Sequence, residues 1–268
     1  MILSTHGILQ SGGVSFVGLL DTYPNAAAAY SLRKLRTAYT GSAIQVRRSS
    51  DNTTQDIGFS GANLDTSALT TFCGSGDGFV TTWYDQSGNS KDAIQSTAAN
   101  QPQIVSGGSI ILENSKPAIQ FDGSNDTLLT TISYNTNSIY VEKVERFRAT
   151  TAGQMSTNFD GSNGPYFQWI STANKFENYY GGSQTQTNAT TTRKLYSFYA
   201  SLGFYENGSL TVARTGVVSA TPTTINIGSY SSGIHAKVNM QEFVFYTSSQ
   251  ISNRTGIESE INTYYAIY

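Results

Sequence analysis

The sequence predicts an all-β protein built as a two-sheet jelly-roll sandwich with a few short helices. Only 13% of the 268 residues are charged, against about 25% in an ordinary soluble domain. The chain instead carries 17 tyrosines and 13 phenylalanines, and aromatic residues favour strands over helices. Short apolar runs also alternate with turn clusters along most of the chain, which is the pattern of a sandwich.

Runs of apolar and β-branched residues mark the predicted strands. They cover residues 44–48, 79–84, 118–121, 138–144, 166–170, 195–202, 210–214, 224–227 and 238–246. Turn clusters separate them, such as Asp122-Gly123-Ser124-Asn125, whose residue types favour tight turns. The pair Asn207-Gly208 between two of these runs is a strong hairpin signal.

Three helices are predicted, at about residues 25–39, 65–72 and 252–265. Pro24 precedes the first helix, and cations near its end suit the helix dipole. Asp65 or Thr66 would cap the second. Ile257 and Ile261 lie one helical turn apart in the third, so we expect it to pack its apolar stripe against the edge of the sandwich.

The chain is expected to divide into an N-terminal docking segment, residues 1–20, and a sandwich domain, residues 21–268. The first 20 residues are mildly apolar and interrupted by Gly and Ser, so they cannot bury themselves alone. They would add a strand to a sheet edge or dock on a partner. A flexible terminus is the alternative.

Charge and hydropathy argue against several classes of partner. The net charge of −2 gives no reason to expect binding to nucleic acid or to an anionic membrane. No stretch approaches the roughly 20 apolar residues of a membrane span, so no membrane insertion is expected. The start of the chain lacks the basic and apolar regions of a secretory signal, which predicts assembly in a cytoplasm. Cys73 is the single cysteine, and we expect it to be a small buried residue.

Two stretches of the sequence carry a resemblance to known families. The first runs from Ala29-Tyr30-Ser31-Leu32-Arg33-Lys34-Leu35 through Gln45-Val46-Arg47-Arg48-Ser49-Ser50-Asp51, with Thr71-Phe72-Cys73 and Trp83-Tyr84-Asp85-Gln86-Ser87-Gly88 after it. It resembles the catalytic domain of the arabinofuranosidase B family (glycoside hydrolase family 54) and related domains in virion proteins of tailed bacteriophages. The second, Thr224 to Tyr265, resembles the end of concanavalin-like and laminin-G-like domains. The resemblance implies a β-sandwich with a carbohydrate-handling concave face.

The resemblance also locates the positions of the two catalytic carboxylates that a retaining glycosidase needs about 5 Å apart. The family's nucleophile is a Glu within an Asp-Leu-Glu-Asn-Gly run. Glu177 and Asn178 match it here, whereas Lys175 and Tyr179 depart from it. The family's acid/base is an Asp that follows an Ile-Gly-Gly run, and Tyr230 stands at that position. A phenol, with an ordinary pKa of about 10, is a poor general acid for a glycosidic oxygen.

One carboxylate without its partner favours binding over hydrolysis, so the protein is not expected to be an enzyme. The expected ligand-binding residues combine aromatic faces for sugar rings with polar groups for hydroxyls: Trp169, Glu177, Asn178, Tyr179 and Tyr230. The alternative is an arabinofuranosidase-like glycoside hydrolase with an altered acid/base, in which Glu177 is catalytic. Asp122, Asp126 and Asp160 could replace the missing carboxylate, but their sequence context is typical of turns.

The phage part of the resemblance implies a virion appendage, such as a head fibre, decoration protein or tail-associated protein. Its partners would be other virion proteins, bound through residues 1–20, and a host-surface glycan. A homo-oligomer, with a trimer as the usual form, is expected. The protein would be located in the virion after assembly in the host cytoplasm.

No cofactor is expected. Calcium stays open, because Asp122, Asn125 and Asp126, and likewise Asp160 and Asn163, carry oxygen ligands at suitable spacings. The two histidines are too isolated in sequence for a transition-metal site.

Overall fold

Antiparallel β-structure makes up most of the protein. The computed structural model describes residues 16–135, 138–159, 166–172, 174–180, 183–199, 203–213, 223–230 and 233–268. Every strand pairing recorded among them is antiparallel. The predicted fold class, an all-β sandwich with a few short helices, is confirmed.

The elements follow one another in chain order. The strands of the first half are β1 (Ala28–Ser31), β2 (Ile44–Arg48), β3 (Thr54–Ile57), β4 (Phe59–Ser60), β5 (Asn63–Leu64), β6 (Gly78–Trp83), β7 (Ala93–Ile94), β8 (Gln103–Ser106), β9 (Ser109–Ile110), β10 (Leu112–Glu113), β11 (Lys116–Pro117), β12 (Ile119–Asp122) and β13 (Leu128–Thr131). Those of the second half are β14 (Tyr140–Phe147), β15 (Gln154–Phe159), β16 (Tyr166–Thr172), β17 (Lys175–Tyr180), β18 (Ser183–Asn188), β19 (Lys194–Tyr199), β20 (Gly203–Glu206), β21 (Ser209–Ala213), β22 (Thr224–Ile227), β23 (Ser229–Tyr230), β24 (Ile234–His235) and β25 (Lys237–Tyr246). The α-helices are α1 (Leu19–Thr22), α2 (Thr66–Cys73) and α3 (Arg254–Tyr265). Each predicted strand overlaps one of these strands.

Strand β25 is the centre of the hydrogen-bonded network. It pairs with β14 along one edge and with β1 and then β12 along the other. From β14 the sheet continues through β19 and β20 to β21. From β12 it continues through β8 to β6, where it branches to β2 and β3 and to β7, β13, β22, β15, β16, β17 and β18.

The network folds back on itself as two layers with an apolar core between them. The ring of Phe159 on β15 lies 5.6 Å from that of Phe245 on β25, and the ring of Phe176 on β17 lies 4.9 Å from that of Phe147 on β14. This inter-sheet core also contains Tyr30, Val46, Trp83, Phe121, Ile170, Phe198, Ile227 and Phe243. It holds the β15–β18 strands firmly on the β14–β25 layer.

A second apolar cluster, the helix-side core, lies on the other face of β25 beneath α1 and α3. Side chains alternate along a strand, so Phe243 and Phe245 enter the inter-sheet core while Val244 and Tyr246 enter the helix-side core. The remaining members include Leu19, Leu20, Leu35, Tyr140, Tyr199, Ile257, Ile261 and Tyr265. The predicted helix α3 is confirmed, but its apolar stripe packs on the outer face of the β25 layer and not against the edge of the sandwich, as was expected.

The predicted helix at 25–39 is wrong, whereas the two later helices are confirmed. Asn25 has a φ of 67°, outside the helical region, and Ala28–Ser31 form strand β1 against β25. All four residues of β1 are buried, because a core lies on each side of it. Ala has a high intrinsic helix propensity, but tertiary packing overrides it at this central position. Asp65 caps α2 by accepting the N–H of Ala68 at 2.9 Å.

The N-terminal segment is described only from Phe16 onward, and residues 1–15 lie outside the described residues. Leu19 and Leu20 of α1 belong to the helix-side core, and the N–H of Leu20 donates to the carbonyl of Leu35 at 2.8 Å. The division at residue 20 stays a prediction. In the described part of the chain, no helix has the length and apolar character needed to cross a bilayer.

Candidate functional site

Glu177 lies in the middle of strand β17. Its neighbour Phe176 is fully buried and enters the inter-sheet core, so alternation directs Glu177 to the opposite face of the sheet. The residue is nevertheless only 6% exposed. The carboxyl therefore lies on the face away from the core but is shielded from bulk water.

The register of the strands around β17 places two of the predicted site residues directly opposite each other. Trp169 on β16 pairs with Glu177, and Gln186 on β18 pairs with it from the other side. Asn178 and Tyr179 follow on β17 itself. The side chains of Trp169, Asn178 and Tyr179 lie outside the described part of the structure, so their predicted contacts stay predictions.

Tyr230, which the family resemblance puts at the acid/base position, lies at a sharp corner between β22 and β23. Gly228 has a φ of 89°, and a Cβ on it would overlap the ring of Phe121. Glycine is therefore required by both backbone and space. The N–H of Gly228 donates to the carbonyl of Ser156 at 2.7 Å, and the hydroxyl of Ser229 lies 2.7 Å from that of Thr127. Tyr230, half-buried, follows directly.

Strand β15 connects the corner with Glu177. Its Met155 pairs with Trp169 of β16, and its other edge pairs with β22 from Thr157 opposite Ile227 onward. Two strands, β15 and β16, thus separate Tyr230 from Glu177. At about 4.8 Å per strand, the backbones of β22 and β17 are about 14 Å apart along the sheet.

Strand β15 contacts a buried polar cluster on β14, which the sequence analysis did not predict. Lys143 on β14 has its Nζ 2.8 Å from a carboxyl oxygen of Glu145 and 2.6 Å from the hydroxyl of Ser156. Burial lowers the pKa of Lys143, although Glu145 opposes that effect. These groups fix Ser156, whose carbonyl holds the corner at Gly228. No sequence signal marks the cluster, because its members meet only after the layers pack.

Asp126 lies beside the same corner. The residue is 6% exposed, and its carboxyl accepts the N–H of Asp122 at 2.8 Å. Burial, with the negative charge of Asp122, raises the pKa of Asp126 to about 7, against the opposing effects of that hydrogen bond and of Arg148. The Nδ1–H of His235 on β24 donates to the carbonyl of Asp126 at 3.2 Å. A carboxyl that titrates near neutrality thus borders the β23–β24 hairpin.

The turn interpretation of Asp122 is confirmed. Its Oδ1 accepts the N–H of Ser124 at 2.7 Å and that of Asn125 at 3.3 Å. Among the residues that the structure describes, no group of three or more His, Cys, Asp or Glu side chains is arranged to hold a metal ion. Asp160 and Asn163 lie outside those residues. Cys73 is a buried free thiol, as predicted.

The chain matches a known protein family over most of its length. The family described as "Alpha-L-arabinofuranosidase B, catalytic" matches residues 21–211. A probable α-L-arabinofuranosidase B of Aspergillus flavus is 35% identical over 96 residues, which cover 33% of this chain and 19% of that protein. The α-L-arabinofuranosidase B of Emericella nidulans is 37% identical over 94 residues, covering 32% and 18%. The matched region is thus about a fifth of the length of these curated relatives.

Solved structures agree on the fold. A crystal structure of an arabinofuranosidase complexed with arabinofuranosyl-α-1,2-xylobiose superimposes with a TM-score of 0.65 at 15% identity, covering 88% of this chain and 62% of that one. A mutant of a glycoside hydrolase family 54 α-L-arabinofuranosidase, soaked with 4-nitrophenyl α-L-arabinofuranoside, gives 0.66 at 15% identity with the same coverage. At 15% sequence identity, the structural similarity shows a shared fold alone.

These findings overturn the expected virion role. The matching family and the named relatives are arabinofuranosidases, so the expectation of a non-catalytic appendage without enzymatic activity is wrong. The expected virion partners, host-surface glycan, trimer and virion location are wrong with it, because they depended on the phage part of the resemblance, which the comparisons do not show. The match over 21–211 covers well over half of the sequence, and the chain belongs to the family of α-L-arabinofuranosidase B catalytic domains.

Proposed function

We propose that the protein is a glycoside hydrolase that removes α-L-arabinofuranosyl groups, with Glu177 as the nucleophile and an altered acid/base. The observation that carries the proposal is the position of Glu177, shielded on the outer face of β17 and in register with Trp169, within the region that matches the family. The names of the relatives and of the superimposed structures support the substrate class.

In this mechanism the Glu177 carboxylate attacks the anomeric carbon and the bond to the leaving group breaks. A covalent glycosyl–enzyme forms, and water then hydrolyses it. Trp169 and Tyr179 would supply aromatic faces to the sugar, and Asn178 would supply an amide to its hydroxyls. The arabinofuranosyl-xylobiose bound to the superimposed arabinofuranosidase suggests arabinofuranosyl side groups on a xylo-oligosaccharide as the substrate class.

The altered acid/base has a kinetic consequence. Tyr230 replaces the family's Asp, and loss of a general acid typically slows a reaction by about 10² to 10⁴. An aryl leaving group such as 4-nitrophenol departs without full protonation, whereas a sugar hydroxyl does not. The protein should therefore hydrolyse 4-nitrophenyl α-L-arabinofuranoside much faster than an arabinofuranosyl-oligosaccharide.

The test is release of 4-nitrophenol from 4-nitrophenyl α-L-arabinofuranoside. Glu177→Gln should abolish release, because an amide is not a nucleophile for the anomeric carbon. Glu260→Gln on α3 is the matched control and should keep the wild-type rate. An inactive wild-type protein, or an active Glu177→Gln variant, would contradict the proposal.

The acid/base assignment has its own test. Tyr230→Asp restores the carboxyl of the family and should raise turnover of arabinofuranosyl-oligosaccharides by about 10² to 10⁴, with a smaller effect on the aryl substrate. An equal effect on both substrates would show that Tyr230 does not stand at the proton-donating position.

A further inference from the structure

A row of side chains crosses four neighbouring strands on the outer face of the sheet. Gln120 on β12 pairs with Gln103 on β8, Gln103 pairs with Phe79 on β6, and Phe79 pairs with Arg47 on β2. The residues that alternate with them along these strands, such as Val46, Val80 and Phe121, are fully buried in the inter-sheet core. Alternation therefore turns the row outward.

The row lines a cleft of about 350 Å³, which Asp122 and Asp126 also line. This volume is near the lower end of the range of roughly 300–1,000 Å³ for ligand pockets, enough for one or two sugar rings. The guanidinium of Arg47 lies 4.8 Å from the ring centroid of Phe79. Arg47 also donates to the side-chain oxygen of Gln101 at 2.7 Å and to that of Asn52 at 2.8 Å, which holds that wall rigid.

Two glutamine side chains in this cleft are available to form hydrogen bonds with a ligand. Gln103 and Gln120 are half-buried, and their side chains make no hydrogen bond recorded among the described residues. A carboxamide offers two donors and an acceptor. Two of them side by side, beside an aromatic ring, match a ligand with many hydroxyl groups.

The charges in the cleft disfavour an ionic ligand. Arg47 opposes a cation, and Asp122 opposes an anion. Asp126 in its protonated form would donate a hydrogen bond to a sugar oxygen. An uncharged, polyhydroxylated ligand fits these groups best.

The cleft adjoins the corner that carries Tyr230. Asp126 accepts a hydrogen bond from His235 of the β23–β24 hairpin through its carbonyl, and the next residue, Thr127, lies against Ser229. The cleft and the Tyr230 corner are therefore neighbours in the fold, so a polymer bound at that corner would pass close to the cleft.

We propose that this cleft binds uncharged backbone sugars of the polysaccharide that bears the cleaved arabinofuranosyl group, an inference that rests on the proposed function. Gln103, Gln120 and Asp126 bind the hydroxyls, and Phe79 provides an apolar wall. The cleft is an accessory subsite for the polymer and makes no contact with the reacting atoms.

Isothermal titration calorimetry with xylohexaose tests the proposal, with arabinohexaose as a second arm and hexagalacturonate as an anionic probe of similar length. The full chain carrying Glu177→Gln should bind a neutral hexasaccharide and not the anionic one. Adding Gln103→Ala and Gln120→Ala should lower the affinity at least tenfold. Gln55→Ala, an exposed glutamine on β3, is the matched control and should bind as the parent does. The melting temperature of each variant checks its folding.

Two results would overturn the proposal: no binding of either neutral probe at millimolar concentration, or equal binding after both glutamines of the cleft are replaced. Binding is measured in a protein that does not turn substrate over, so its result is separate from the nitrophenol assay. A failure of the proposed catalytic function is thereby distinguishable from a failure of the subsite.

Discussion

Two buried glutamates on the same face of neighbouring strands have opposite surroundings. Glu242 on β25 and Glu142 on β14 are both fully buried on the helix-side face. The carboxylate of Glu242 accepts hydrogen bonds from the Nε of Arg33 at 2.8 Å and from its Nη2 at 3.0 Å. It also accepts a hydrogen bond from the hydroxyl of Ser31 at 2.7 Å. Glu142 is contacted instead by two hydroxyls, those of Tyr140 and Ser197.

The difference in partners determines whether the carboxyl of Glu142 carries a proton. The hydroxyl oxygen of Ser197 lies 2.7 Å from Glu142 and 2.8 Å from Glu258, but a hydroxyl has one proton to donate. The second contact needs a proton on a carboxyl. Burial, with the negative charge of Glu258, raises the pKa of Glu142 well above its ordinary value, although Ser197 and Arg254 act the other way. We therefore expect a protonated Glu142 that donates to the hydroxyl oxygen of Ser197, which leaves the single proton of Ser197 for Glu258.

The comparison shows that a raised carboxyl pKa does not by itself mark a catalytic group. Glu142 is fully buried beneath α3, so a substrate cannot contact it. Asp126 has a raised pKa too, but it lines a cleft beside the Tyr230 corner. A shifted pKa indicates a functional group only where a ligand can reach that group.

The largest expected effect comes from breaking the arginine pair. Arg33→Met should lower the free energy of unfolding by about 3–5 kcal/mol, because it leaves the charge of Glu242 buried without its cation. Urea unfolding at pH 7 measures the change. Replacing both residues, Arg33→Met with Glu242→Met, should recover much of the loss.

Arg48→Met is the control for that loss, because Arg48 pairs with Asp51 at 2.6 Å on the surface. Solvent screens such a pair, so this variant should unfold as the wild type does. Equal losses for Arg33→Met and Arg48→Met would mean that burial of the Glu242 pair has no energetic consequence.

The second expected effect is a dependence on pH that Glu142 causes. The unfolded carboxyl ionises near 4.5, whereas the folded one keeps its proton to a higher pH. The folded state then binds more protons, so stability is fully present below 4.5 and falls as pH rises toward the folded pKa, by about 1.4 kcal/mol per pH unit from this group.

Glu142→Gln should remove that slope, since the amide mimics the protonated acid. Urea unfolding at pH 5, 6, 7 and 8 should give curves for the variant and the wild type that diverge as pH rises, with the variant more stable at pH 8. Parallel curves would show that Glu142 is ionised in the folded protein.

Local patterns in the sequence were sufficient for much of the fold and for little of the chemistry. The strand runs and the capping residue Asp65 act within a few residues, so they are visible in the chain. Arg33 and Glu242 are 209 positions apart, and only the packed sheet shows that they meet. Asp126 likewise resembled an ordinary turn residue, because its burial depends on the β23–β24 hairpin.

The smallest expected effect tests which carboxyl carries the proton. Ser197→Ala removes one relay hydroxyl and should cost about 1 kcal/mol. The amide of Glu142→Gln also donates to Ser197, so the relay stays intact and the cost of Ser197→Ala should be the same in that background. Urea unfolding of the two single variants and the double variant gives the comparison. A much smaller cost in the Glu142→Gln background would place the proton on Glu258 instead, because the acceptor of the Ser197 hydroxyl would then have changed from a charged carboxylate to a neutral amide oxygen, which accepts a weaker hydrogen bond.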